Sequence, residues 1–250
     1  MHTHRRLIPA LIFAVAGPAA WAAEAQVAVA ANFAEPIKAI AAVLEKTTGH
    51  TISVSLGATG AFYTQIRNGA PFDVFLAADG ERPALLDKEG LAAPDTRFTY
   101  ARGKLVLWSV DPAKVDNKGK ALTSPQIRKV ALANPKTAPY GAAAVQVMDR
   151  LGVAEVLKPR LVQGESIGQT FNFVKTGNAD IGFVAMSQVL EGDKLKEGSM
   201  WVIPQENYGT IRQDAVVLKR GENNEAAIAL MKLLQSPNIK DLIRSYGYDL

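Results

Sequence analysis

Short apolar runs alternate with amphipathic stretches along most of the chain. Gln26 to Ala31, Thr51 to Ser55 and Val74 to Ala77 have the length and the small or β-branched character of buried strands. Between the first two, Ile37, Ile40, Ala41 and Leu44 recur at helical spacing. Pro36 falls in the first turn of that helix, Lys46 near its end and Gly49 just past it. Between the second and third runs, Gly57-Ala58-Thr59-Gly60 leads into a helical segment ending near Ile66, and Asn68 to Pro71 form a turn. Strand, small-residue turn, helix, turn and strand make a βαβ unit, which sets the start of its helix at the C-terminal edge of a parallel sheet. A helix follows from Pro83 to Leu86, and Gly90 to Arg97 reads as a loop.

From Lys104 the same alternation begins again, without a sequence repeat of fixed period. Strands are predicted at Leu105–Trp108, Val130–Ala133, Arg160–Gln163 and Ile181–Ala185. The intervening helices carry Ala144, Val147, Met148 and Leu151, then Phe171 and Val174, then Met186 to Leu190. Asp214 to Leu218 is a last β-branched run, and two amphipathic helices, Ala226 to Leu234 and Ile239 to Ser245, close the chain. The expected fold is α/β, with two three-layer lobes and a central cleft. The lobes take residues 23–102 with 206–250, and residues 103–205; Lys104–Trp108 and Asp214–Leu218 mark where the chain enters and leaves the second.

Residues 1–22 are set apart from this pattern. His4-Arg5-Arg6 is basic, Leu7 to Ala16 is apolar but too short to span a bilayer, and Ala20-Trp21-Ala22 offers an A-x-A cleavage site. This segment reads as a signal peptide, with Ala23-Glu24-Ala25 as a second possible site, so the protein is expected to be exported to the periplasm. The formal charge of +4 is small, and losing Arg5 and Arg6 with the leader halves it. No nucleic-acid partner follows from it.

The chain has no cysteine and 3 histidines, of which His2 and His4 fall in the leader. Thiolate chemistry, disulfides and multi-histidine metal sites are therefore excluded, and His50, in a predicted turn beside Gly49, is a poor base for a triad. Trp108 and Trp201 read as core or hinge residues, Asp79 and Asp180 as turn and cap residues, and Met148 and Met186 as core.

The topology aims four strand-to-helix junctions at the cleft: Ala31-Asn32-Phe33, Ala58-Thr59-Gly60, Pro139-Tyr140-Gly141 and Ser166-Ile167-Gly168. Each opens a helix, so each offers N–H groups without intrahelical partners at the positive end of a macrodipole. None contains Lys or Arg. A single junction of this kind is equally an N-cap, as Thr59 alone would be; four converging ones suit a buried anion. Glu35 and Glu165 flank two junctions and must point away from such a guest.

Several blocks now stand in order: Ala30-Ala31-Asn32-Phe33, Ser55–Asp79 with its NGAPFDVFLAAD tail, Gly103–Trp108, Asn134-Pro135 with Ala138–Gly141, and Asn178–Val184. Together they resemble the periplasmic molybdate-binding proteins of molybdate ABC transporters, over nearly all of the chain after the leader. The resemblance implies a type II periplasmic-binding fold that closes on a tetrahedral oxyanion without enzymatic turnover. It places Asn32 and Thr59 as ligand contacts through backbone and side chain, and Tyr140 and Ile167 through backbone N–H. Relatives with a hydroxyl residue in the first junction suggest that the Asn32 amide replaces it. Others use a tyrosine at the position of Ala185, for which Tyr140 is the candidate substitute; its side chain either contacts the guest or is a lobe-surface aromatic.

The implied ligand is molybdate or tungstate, with no cofactor and no cation site, and the implied partners are a membrane permease and its ATPase. A monomer is expected. Two other functions remain open at this point: a receptor for a different tetrahedral oxyanion such as sulfate, and an exported ester hydrolase. The latter lacks a visible nucleophile–base pair or metal cluster.

Overall fold

The computed structural model describes residues 22–116, 118–192 and 194–250. All of the predicted leader except Ala22 lies outside the described residues. Strands β1 (Glu24–Ala30), β2 (Thr51–Gly57), β3 (Val74–Leu76) and β4 (Phe98–Gly103) alternate with helices α1 (Ala34–Thr48), α2 (Thr59–Arg67) and α3 (Glu81–Lys88). Then come β5 (Leu105–Ser109), β6 (Val130–Ala133), α4 (Pro139–Arg150), α5 (Ala154–Leu157), β7 (Leu161–Gly164), α6 (Ile167–Lys175), β8 (Ile181–Ala185) and α7 (Met186–Val189). The chain ends with β9 (Leu190–Glu191), β10 (Lys194–Leu195), β11 (Ser199–Val202), β12 (Ile211–Val217), α8 (Glu225–Leu234) and α9 (Pro237–Ser245).

Two five-stranded sheets result, ordered β2-β1-β3-β12-β4 and β11-β5-β8-β6-β7. In the first, β1 pairs parallel with β2 and β3, and β12 runs antiparallel between β3 and β4. In the second, β6 is parallel to β7 and β8, while β5 and β11 are antiparallel. The chain passes from the first sheet to the second between Gly103 and Leu105, and returns between Val202 and Ile211.

Both faces of each sheet are covered, which explains why the strands read as continuous apolar runs. Val27, Val29, Val74, Leu76, Ala215 and Val217 pack against α1, α8 and α9, whereas Ala28, Phe75 and Val216 pack on the other face against Phe62 and Ile66 of α2 and Leu86 of α3. In the second sheet Leu105, Leu107, Val130, Leu132 and Phe183 share one core, and Val106, Trp108, Ala131 and Val184 the other. This is the period-two alternation of a strand buried on both sides. Trp108 is a core residue, stacked on Phe171. Asp180 accepts the N–H groups of Arg128 and Lys129 in the loop before β6 and pairs with Lys114, so it braces a loop rather than capping a helix.

Among the described residues, β4, β11 and the two-residue strands β9 and β10 had no counterpart in the hydrophobic pattern. β4 carries Thr99, Arg102 and other polar positions, and its pairing with β12 shifts register at Gln213/Asp214. That irregularity brings Asp214, fully buried, between Arg97, Arg212 and Thr99. β11 is only four residues long.

At the crossover, Gly103 leaves no room for a side chain. A Cβ there would lie 1.9 Å from Tyr140 Oη and 2.6 Å from Gln213 Nε2, both buried. Gly103→Ala therefore overpacks the junction and is expected to cost about 1–3 kcal/mol of stability, read as a lower urea midpoint with an unchanged slope.

Candidate functional site

Register decides where the site forms. Ala30 of β1 is level with Gly57 of β2, and Val29 with Leu76 of β3, so the three parallel strands end at one edge of the first sheet. In the second sheet Ala133 of β6 is level with Gly164 of β7. The turns leaving these ends face each other across a cavity of about 10 Å³. Asn32, Thr59, Tyr140 and Ile167 all line it, two from each side of the cleft. They are 2%, 1%, 1% and 4% exposed.

Local sequence explains each position. Asn32 lies in the 3-10 turn Ala31–Phe33 that follows β1 directly. Thr59 is the first residue of α2, with Ala58 as the extended residue before it, so it is not the N-cap. Tyr140 follows Pro139, which opens α4 at the position where a missing N–H costs nothing. Ile167 opens α6 after Ser166, whose hydroxyl caps the helix by accepting the Gln169 N–H at 3.2 Å. The N–H groups of Asn32, Thr59, Tyr140 and Ile167 stand where no helical acceptor lies one turn back. None takes part in the turn and loop hydrogen bonds among the described residues.

The Thr59 hydroxyl accepts the Ala78 N–H at 2.9 Å, which leaves its own hydrogen to donate. Ala78, at the end of the FLAAD segment, lines the cavity beside it, as does Ala138. Neither was singled out from the sequence, though Ala78 lies two residues past the end of β3, the strand next to β1, and could have been placed at that edge by register.

Two expectations about side chains are corrected. The Asn32 amide does not stand in for a missing hydroxyl, because its Nδ2 donates to Gln213 Oε1 at 2.8 Å and to Tyr248 Oη at 2.9 Å. Its Oδ1 is buried without a partner among the described residues. Nor is Tyr140 a lobe-surface aromatic. It is buried, it lines the cavity, and its oxygen accepts from Gln213 Nε2 at 3.1 Å. Gln213, Tyr100 and Tyr248 thus form a buried polar support behind the site, with the Tyr100 hydroxyl reaching Gln213 Oε1 at 3.1 Å and Ala77 O at 3.1 Å. Nothing in the local pattern around Gln213 announces this role, since only the fold brings it to Asn32.

Among the described residues, no Asp, Glu, Lys or Arg lines the cavity. Glu35 and Glu165 are both exposed; Glu35 borders an outer groove that shares Ala31 and Asn32 with the cavity, and Glu165 lies 3.4 Å from Asn134 Nδ2. Each helix start carries roughly half a positive charge, and charge-assisted hydrogen bonds to neutral donors contribute about 1.5–3 kcal/mol each. Such a set of neutral donors suits an anion held through dipoles.

The sequence matches the family described as bacterial extracellular solute-binding protein over residues 25–249. The chain belongs to that family. Among its relatives is the molybdate-binding protein ModA of Azotobacter vinelandii, 54% identical over 245 residues, covering 98% of this chain and 97% of the relative. The molybdate-binding protein ModA of Rhodobacter capsulatus is 53% identical over 239 residues, covering 96% and 93%. Among solved structures, a periplasmic molybdate-binding protein of Azotobacter vinelandii superposes with a TM-score of 0.88 at 41% identity, covering 90% of this chain and 99% of that one. The resemblance in the ordered sequence blocks and the two-sheet α/β fold are both upheld. Solute-binding proteins are transport receptors, not enzymes. Among the described residues no helix is long and apolar enough to cross a membrane.

Burial pushes the phenols of Tyr140, Tyr100 and Tyr248 above their ordinary values, so all three stay neutral. With no carboxylate, lysine or histidine at the wall, affinity for a fully ionised anion is expected to stay flat from about pH 6 to pH 9. Calorimetric titration across that interval checks it; an affinity that followed a histidine or carboxylate titration would contradict the assignment.

Proposed function

We propose that this solute-binding protein captures molybdate, and also tungstate, between its two lobes and delivers it to an ABC importer. The lobes are the unit built on the first sheet (residues 23–102 and 206–250) and the unit built on the second (103–205). Residues 1–22 direct the chain to the periplasm and are removed there. The receptor acts as a monomer, presenting the loaded, closed form to a membrane permease coupled to an ATPase.

The observation that carries this reading is the cavity between the two sheets, walled by neutral donors from both. A guest bonded to Asn32 and Thr59 on one side and to Tyr140 and Ile167 on the other favours the closed arrangement by its differential affinity for it. A doubly charged tetrahedral oxyanion satisfies several such donors at once, and the names of the relatives single out molybdate among these anions. The Thr59 hydroxyl and the four free N–H groups are the proposed ligand contacts.

Melting scans with molybdate, tungstate, sulfate and phosphate test the proposal. A ligand that binds only the folded protein adds RT ln(1 + [L]/Kd), about 4 kcal/mol at a thousandfold excess over Kd. Molybdate and tungstate are expected to raise Tm by several degrees, sulfate and phosphate little. Thr59→Val keeps the shape but removes the hydroxyl, and is expected to weaken molybdate binding roughly 10- to 100-fold. No Tm shift with millimolar molybdate would refute the reading, and a shift with sulfate alone would reassign the receptor to that anion.

A further inference from the structure

Besides the Gln213–Tyr140 link, two groups of hydrogen bonds join the sides of the cleft beside the cavity. Toward the crossover, Ser187 Oγ donates to the Asn32 carbonyl at 2.8 Å, and the Tyr248 hydroxyl reaches the same carbonyl at 2.8 Å and Ser187 Oγ at 3.0 Å. Toward solvent, the Gly60 N–H donates to Thr137 O at 2.8 Å, and Arg82 Nη2 donates to Lys136 O at 3.0 Å. The second fastening contains a charged side chain, which the cavity itself does not.

Arg82 is held for this task. It sits in the first turn of α3, just after the end of β3. One carboxylate oxygen of Asp79 accepts the Arg82 backbone N–H at 3.0 Å, and the other pairs with Arg82 Nη1. The guanidinium is thereby laid over Gly60, where a Cβ would lie 3.1 Å from Nη2 and 2.9 Å from Thr137 Cα. Arg82 and Asp79 line an outer groove that shares Ala78, Ala138 and Pro139 with the wall of the anion cavity. Arg82 is thus on the far side of that wall from the guest.

We infer that Arg82 is the closing bolt of the receptor: it joins α3 to the Lys136–Thr137 turn over the bound oxyanion without touching it, and so sets how long the anion stays. The inference rests on the oxyanion reading of the cavity. Asp79 cancels most of the long-range pull of the Arg82 charge but fixes the direction of its fork. What Arg82 adds is reach across the cleft, which acts on release more than on capture.

Stopped-flow tryptophan fluorescence with molybdate separates the two rates. Arg82→Gln is expected to speed release about tenfold while changing the association rate by less than about threefold. Arg82→Lys keeps the charge but loses the fork, and is expected to resemble Arg82→Gln. Asp79→Asn frees the guanidinium and is also expected to speed release. If Arg82 instead worked by attracting the anion, Arg82→Lys would match the parent and Asp79→Asn would bind more tightly; either result overturns the bolt, as does an unchanged release rate. Hydrogen exchange gives a readout that needs no ligand. The Gly60 amide is expected to exchange faster in Arg82→Gln, with Tm of the free protein nearly unchanged, and unaltered exchange overturns the inference. A parent protein silent to molybdate would sink the proposed ligand, while the Gly60 amide still decides the bolt.

Discussion

Four helix or 3-10 starts brought mouth to mouth, each with an N–H that the protein itself leaves unused, form the constraint on which this molecule turns. Such groups are costly to bury unpaired, and here they lie beside a cavity with no charged side chain to answer them. On the proposed reading, an anion between them resolves that cost on both sides of the cleft at once. Dipoles would hold it without a cation, since no charged side chain among the described residues lines the cavity to retain every passing anion by attraction alone. Selection then falls to size and to the number of donors satisfied.

The rest of the fold supplies that convergence. Parallel pairing of β1 with β2 and β3 sets three strand ends level, and the β6–β7 pairing does the same opposite. Apolar burial on both faces of each sheet fixes the register, because a one-residue slip would exchange Val27 and Val29 for Ala28 across the sheet. Behind the cavity, Gln213 links Asn32 and Tyr140, residues that belong to different sheets. Bare backbone at Gly60 and Gly103 lets the two halves approach on either side of the guest.

Much of this was legible in the sequence, for definite reasons. Doubly buried strands are continuous apolar runs, and helix starts after them carry small residues, so the four junctions could be placed and their convergence inferred from the handedness of βαβ units. Legibility ended where an element is half polar or a contact is long-range. β4 alternates Thr99 and Arg102 with buried positions and pairs through a bulge, which blurs its period. The fate of the Asn32 amide depends on Gln213 and Tyr248, 181 and 216 residues away in sequence, and no local pattern encodes that meeting. Tyr140 could be assigned to the site by its backbone but not by its ring, because only the packing at Gly103 fixes where the hydroxyl goes.

The most direct test is a crystal structure of the protein grown with tungstate, located by the anomalous signal of the metal. The account predicts one tungsten centre between the two sheets, its oxygens about 2.7–3.1 Å from the N–H groups of Asn32, Thr59, Tyr140 and Ile167 and from the Thr59 hydroxyl, with no charged side chain in contact. A tungstate bound instead to arginine or lysine outside the cleft, or one reached by donors from a single sheet, would contradict it.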